Sequence, residues 1–294
     1  MAWLDWAITA AGVLVVLAAL RDIFHTLWHP SGRGSLSTQV MRAVWWAGRR
    51  RRNRSGGLTG PGGLGLVILL WLAMLIAGGA LVYVPHLPEA FSFSSGLDVS
   101  ERSDVLDAVY LSTVTLATLG FGDVVPVDGW LRIAVPVQAL VGFGLLTASV
   151  TWVLQIYPAL VRRRSLAVRL AVLRAVAPED LLHDAGSTLA APLLESLAGA
   201  LVQARVDVTQ YAETYYFRDG DEEAALPAMI RVATALAESG RSAPRLDVRV
   251  AAALLDRAVD DFARVLDDQF LHTGGAKDEI LAAYAEAHHR TGQD

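Results

Sequence analysis

Cysteine is absent from the 294 residues. Disulfides, thiolate chemistry and cysteine-based metal sites are therefore excluded. Charge is scarce: 19% of residues are Asp, Glu, Lys or Arg, against about 25% in ordinary soluble domains. Lys and Arg number 25 against 30 acids, a formal net charge of -5. That balance excludes a nucleic-acid binder driven by bulk positive charge. No G-x-S-x-G, H-E-x-x-H or other pairing of nucleophile with base occurs, so the chain does not read as an enzyme. A Gly-rich phosphate loop after a strand and a βαβ alternation are both missing, which argues against a nucleotide-binding Rossmann domain and gives no sign of an organic cofactor. What abounds is apolar surface, at 53% of residues, which excludes a disordered chain.

That apolar content is concentrated in three runs. Residues 1–20 are broken only by Asp5, and residues 64–84 and 133–154 carry no charge at all. A helix needs about 20 apolar residues to cross a hydrocarbon core of about 30 Å. The first run lacks a basic start and a small-residue cleavage site, so it reads as a spanning helix and not a signal segment. The uncharged middles of the second and third runs argue against a proton-coupled transporter. None of the spans carries the spaced arginines of a voltage sensor, so weak intrinsic voltage dependence is expected.

The charges sort by side. The linker 26–62 carries Arg33, Arg42, Arg49, Arg50, Arg51, Arg52 and Arg54 with no acid. The segment 84–131 carries seven acids against Arg102 alone, and Arg162, Arg163 and Arg164 follow the third run. The positive-inside rule then predicts a multi-pass protein of the plasma or inner membrane, N-terminus outside and C-terminus cytoplasmic. Arg49, Arg50, Arg51, Arg52 and Arg54 either bind anionic lipid head groups or serve only as this topology signal. Trp3, Trp6, Trp28, Trp45, Trp46, Tyr83, Trp130, Trp152 and Tyr157 lie near run ends, as interfacial anchors do, whereas Trp71 sits mid-run as a packing or lipid-facing residue. Arg21 and Asp22 end the first span, where they snorkel or pair with a neighbouring chain. His25 and His29 are four apart and read as interfacial histidines at a helix exit.

From residue 165 onward there are 21 acids and 12 bases, and no run long enough to span. Val248, Ala252, Leu255, Val259, Phe262 and Leu266 recur at helical spacing, as do Leu194, Leu197, Leu201, Ala204 and Val208. The residues 177–180 and 242–247 read as helix starts, and 218–223 and 272–279 as turns. Asp260, Asp261, Asp267 and Asp268 read as a solvated helix face, and His288 and His289 as a tail without a role. The fold class expected is an all-α membrane protein with three spans, a re-entrant helix and loop, and a soluble helical cytoplasmic domain. Its boundaries fall at 1–25 for the first span, 26–62 for the linker, 63–161 for the pore domain and 162–294 for the tail.

Between the second and third runs, residues 104–117 have helical periodicity with Asp104 and Asp107 in the first turn. Fourteen residues are too few to span, and a glycine-rich extended stretch follows. A short helix in and an extended strand out make a re-entrant loop, which is tolerated at membrane depth only where it is buried in protein or lines a water-filled path. In Thr118-Leu119-Gly120-Phe121-Gly122 the alternating glycines permit backbone angles closed to other residues, so successive carbonyls can face one axis. Ringed carbonyls can replace the water shell of a cation. The Thr118 hydroxyl adds a ring at the inner end, Leu119 and Phe121 point away, and Asp123 closes the outer end as a cation attractor or a hydrogen-bonding brace.

The stretch TLATLGFGD, with Thr115, Thr118, Gly120, Gly122 and Asp123 at the key places, resembles the selectivity-filter signature of potassium channels, T-x-x-T-V-G-Y-G-D. Leu119 stands for the commoner Val, Phe121 for the commoner Tyr, and Val114 at a pore-helix place that varies. The resemblance covers about residues 64–155, as outer helix 64–84, pore helix 104–117, filter 118–123 and inner helix 131–157. It implies a homotetramer conducting K+ passively. Thr118, Leu119, Gly120, Phe121 and Gly122 would form the ion-coordinating filter, supported by Val114, Thr115 and Asp123. The third span would line the cavity, with a gating hinge at Gly142, Gly144 or the bend at Pro136; the alternative for these glycines is simple helix packing. The gating ligand is unnamed by the sequence, and so is the packing partner of the first span, either lipid beside the second span or the next subunit.

Overall fold

The structure is a computed structural model, and it describes residues 2–28, 34–50, 59–94, 103–176 and 179–289. It divides into two compact units, Met1–Val40 with Leu64–Leu154, and Met41–Gly63 with Gln155–Asp294. The helices are α1 (Ala2–Leu27), α2 (Ser35–Arg50), α3 (Thr59–Tyr83), α4 (Asp104–Leu116), α5 (Leu131–Val176), α6 (Glu179–His183), α7 (Ala190–Gln210), α8 (Leu226–Arg241), α9 (Leu246–Leu266) and α10 (Lys277–His288). Two three-residue strands, β1 (Phe91–Phe93) and β2 (Val124–Pro126), pair antiparallel with Ser92 opposite Val125.

Among the described residues three helices are long and apolar enough to cross a membrane, within Trp3–Leu27, Thr59–His86 and Leu131–Val176. The chain is thus a multi-pass membrane protein, and among the described residues its regular structure is helical apart from one short ladder. Helices satisfy every backbone group internally, which is what a chain without water partners requires. The third of them runs unbroken through Pro136, Gly142 and Gly144 to Val176, well past the expected end at 157.

In the first unit α1 packs on α3 of its own chain. Gly12 and Gly78 bring the two backbones together: a Cβ on Gly12 would lie 2.6 Å from the Gly78 carbonyl oxygen. At one end of this contact Thr9 Oγ1 and His86 Nε2 lie 3.0 Å apart. At the other, Asp22 is buried. Its carboxylate accepts from the Leu36 and Ser37 backbone N–H groups, at 2.8 and 3.1 Å, and from Trp71 Nε1 at 2.9 Å. The first N–H groups of α2 have no partner within their own helix, and an anion at a helix N-terminus also suits the dipole. Asp22 therefore neither snorkels nor reaches for another chain; it joins α1, α2 and α3. Trp71 is fully buried, its ring 5.4 Å from that of Trp152, so it packs and does not face lipid. Tyr83 and Trp152 are buried likewise, as Trp45 is in the second unit, and they are not interfacial anchors. Trp3, Trp6, Trp28, Trp46 and Tyr157 are exposed in the single chain. His29, Arg51, Arg52, Arg54 and the side chains of Arg49 and Arg50 lie outside the described residues.

In the second unit, Val248, Ala252, Leu255, Val259, Phe262 and Leu266 of α9 are all buried, and so are Leu194, Leu197, Leu201, Ala204 and Val208 of α7. The periodicity was a sound guide because an amphipathic helix has one face to hide. Asp256 pairs with Arg241 and with Lys277 Nζ, at 2.6 Å to the latter. Three of the four acids read as a solvated face are in use: Asp260 pairs with Lys277, Asp261 with Arg264, and Asp267 accepts from the Thr273 and Gly274 backbone, while Asp268 is exposed. Arg162 makes a two-pronged contact with Asp207 at 2.8 Å. Arg163 donates to the Thr214 and Phe217 carbonyls and to Asp219, and Arg164 also to Asp219. The Arg162–Arg164 run thus clasps the turn at 218–223 and α7, a role its place after a span did not reveal.

His288 is the other surprise. Its ring is enclosed by Trp45, Tyr215 and Tyr284 at centroid distances of 5.0, 4.9 and 4.8 Å. Nε2 lies 2.8 Å from the Tyr215 carbonyl oxygen and Nδ1 lies 3.0 Å from that of Tyr284. Enclosure pushes the imidazole down to about 4, despite the two carbonyls that favour its cation. The unfolded chain, with an ordinary histidine near 6.5, then binds the proton first. This contribution to stability is complete above about pH 6.5 and is lost as pH falls from there toward 4, at up to about 1.4 kcal/mol per unit. The urea midpoint of the second unit's unfolding, followed by near-ultraviolet dichroism, should drop across that window. His288→Phe should flatten the drop.

Candidate functional site

The loop between α3 and α5 starts from α4, thirteen residues whose Ala108, Leu111, Ser112, Val114, Thr115 and Leu116 are buried. Helix α4 packs with Ala80, Val82, Tyr83, Leu87, Phe91, Val124 and Leu131 into one apolar cluster. Asp104 and Asp107 lie in its first turn, on the positive side of its dipole. The helix ends by turning its last carbonyls to the residues that follow. The Thr115 carbonyl accepts from the Thr118 N–H and the Val114 carbonyl from the Leu119 N–H, both at 2.9 Å. Val114 and Thr115 thereby anchor the start of the extended segment through their backbone.

Three alternate residues of that segment have left-handed backbone: Thr118 at φ 59°, Gly120 at φ 56° and Gly122 at φ 77°. Glycine adopts this region freely. A β-branched threonine there is a genuine outlier, at a cost of about 1–2 kcal/mol. Such strain persists only where the surroundings over-determine it, and it concentrates at functional sites. Alternation of hand from one residue to the next cancels the half-turn that successive carbonyls make along an ordinary strand, so neighbouring carbonyls can face the same way. Residues 117–122 are exposed in the single chain, including the large apolar Leu119 and Phe121.

Asp123 is held from three sides. Tyr110 Oη of α4 donates to its Oδ2 at 2.6 Å, its Oδ1 accepts from the Val124 N–H at 3.2 Å, and its carbonyl accepts from the Ser94 N–H at 2.9 Å. The last of these continues the β1–β2 ladder, which fastens the exit of the segment to the loop before α4. The Asp123 carboxylate thus has a hydrogen-bonding partner, Tyr110, within its own chain. Tyr110 escaped the sequence reading; the available signal was a phenol in α4 when Phe121 has none.

Behind the segment runs α5. A Cβ on Gly142 would run into the Leu116 carbonyl oxygen, so α5 and the end of α4 touch backbone to backbone there. Gly144 faces open space. Pro136 lies in the second turn of a continuous helix. Among the described residues no group of three or more His, Asp and Glu side chains is placed to hold a metal ion.

Comparison with known proteins matches residues 69–157 to the model of a family described as an ion channel. The matched stretch spans much of α3, all of α4 and the first half of α5. The chain is 30% identical over 165 residues to an uncharacterized membrane protein, YdjJ, of Bacillus subtilis, covering 53% of this chain and 46% of that one. It is 37% identical over 89 residues to two-pore potassium channel 5 of Arabidopsis thaliana, covering 28% of this chain and 21% of that one. The chain thus spans less than half the length of either curated relative. No solved structure matches it. The relationship is a distant one to ion-channel proteins, which are transport proteins and not enzymes.

Proposed function

We propose that the protein is a potassium-selective channel, assembled as a homotetramer around the segment 118–122, that conducts K+ passively. The observation carrying this reading is the alternating left-handed backbone at Thr118, Gly120 and Gly122, at the end of a buried helix between two spans. In the reading, the carbonyls of Thr118, Leu119, Gly120 and Phe121 and the Thr118 hydroxyl replace water around the ion, with Gly122 completing the strand. The exposed Leu119 and Phe121 support assembly, because four chains around one axis would cover them. The segment's N-terminal anchors are Val114 and Thr115, and Asp123 is its outer brace. Helix α5 lines the inner path and moves in gating at Gly142, Gly144 or Pro136. The N-terminus lies outside and the C-terminus in the cytoplasm, where Arg49, Arg50, Arg51, Arg52 and Arg54 are the candidates for contact with anionic lipid.

The test is flux from purified protein in liposomes. Potassium should pass, sodium should be excluded and barium should block, with no steep dependence on voltage. Cross-linking in detergent should stop at four chains. Equal sodium and potassium flux would make it a non-selective cation channel, a reading that Phe121, lacking a phenol, favours. No flux from folded tetramer would overturn the channel reading in favour of a non-conducting signalling or transporter subunit.

A further inference from the structure

Three side chains on three helices form one closed hydrogen-bonded circuit behind α4. Ser112 of α4, fully buried, donates its only hydroxyl proton to the Ile76 carbonyl of α3 at 2.8 Å. Its oxygen therefore accepts from Gln138 Nε2 of α5, at 2.7 Å. That settles the orientation of the Gln138 amide, whose Oε1 accepts from Tyr83 Oη of α3 at 2.6 Å. The circuit leaves α3 at Tyr83, crosses α5 and α4, and returns to α3 at Ile76, two turns away on the same helix. Every polar group in it has an assigned role, the condition under which a buried network specifies one geometry. The space it occupies is kept open at Gly79, where a Cβ would lie 2.5 Å from Ser112 Oγ and closer still to the Gln138 amide. One turn further along both α4 and α5 comes the Leu116–Gly142 backbone contact. Two successive contacts, 112 with 138 and 116 with 142, fix both the rotation and the depth of α4 against α5. Two residues after Leu116 the left-handed segment begins.

We propose that Tyr83, Gln138 and Ser112 are positioning residues for the ion path. The circuit sets the rotation and depth of α4, and so aims the carbonyls of residues 118–122. The proposal rests on the reading of that segment as an ion path. An apolar replacement of the circuit would still fill the space and leave no buried orphan, so it separates positioning from mere cohesion.

The experiment compares the parent, Tyr83→Phe, and the triple variant Tyr83→Phe/Ser112→Ala/Gln138→Leu, all as full-length protein. Hydrogen exchange is read on peptides covering 110–123, with peptides covering 190–210 as the internal reference, and the potassium-to-sodium flux ratio is read in liposomes. Exchange at the Thr118 and Leu119 amides should rise about tenfold in both variants, the factor that one hydrogen bond's net worth corresponds to, with no change in 190–210. The flux ratio should fall by about the same factor, while the triple variant melts close to the parent. A triple variant with parental exchange and parental flux ratio would overturn the proposal. If the variants exchange faster but even the parent carries no potassium, the circuit stands as the device that positions α4 and the ion-path reading fails.

Discussion

Gly120→Ala should abolish selective potassium flux while leaving the chain folded and inserted. In the single chain a Cβ at this position meets nothing within 4 Å, so a clash within one chain is not the reason. The reason is the backbone, because Gly120 sits at φ 56°. An L-residue held there costs about 1–2 kcal/mol, and four copies around one axis would multiply it. The segment already carries one such cost at Thr118. Relaxing residue 120 to a right-handed conformation would restore the half-turn between its carbonyl and its neighbour's, and the ligand set for a bare ion would be lost. Potassium and sodium flux in liposomes, beside size-exclusion chromatography of the same preparation, checks this. Unchanged selectivity would remove the carbonyl mechanism.

Asp22→Ala should destabilise the first unit by about 3–9 kcal/mol, because three donors lose their acceptor and each buried orphan costs about 1–3 kcal/mol. Those donors are the Leu36 and Ser37 amides and the Trp71 indole. The site has little slack: Ser37 Oγ and Thr26 Oγ1 lie 2.7 Å apart beside it, and a Cβ on Gly34 would lie 2.5 Å from both Asp22 Oδ1 and Ser37 Oγ. Adding Trp71→Phe removes one of the three orphaned donors. The double variant should therefore lose less than the two single changes together. Thermal unfolding in detergent of the four proteins measures the coupling. Strict additivity would show that Asp22 and Trp71 do not act on each other.

The positions of the three spans, the short helix between the second and third, and the core faces of α7 and α9 were legible in the residues alone. In each case the signal is a period or an uninterrupted apolar run, and either is a property of neighbours along the chain. Partners distant in sequence were not legible. Asp22 looked like a residue seeking lipid head groups or another subunit, yet its acceptor oxygens are taken up by positions 36, 37 and 71. His288 looked idle near the end of the chain, yet three aromatic rings surround it. The glycines at 120 and 122 announced an unusual backbone, but nothing in a threonine announces that residue 118 shares it.

Local chemistry along the chain was enough to say that this is a multi-pass helical protein with a glycine-punctuated loop between its second and third spans, because hydrophobic length and helical period require no knowledge of what lies opposite. Which side chains close on one another was decided only in three dimensions. Tyr83, Ser112 and Gln138 are ordinary polar residues in apolar surroundings until α3, α4 and α5 come together, and only then do their hydrogen-bonding groups meet one another. Burial makes such pairing obligatory, and the packing of helices, not the order of residues, selects the pairs.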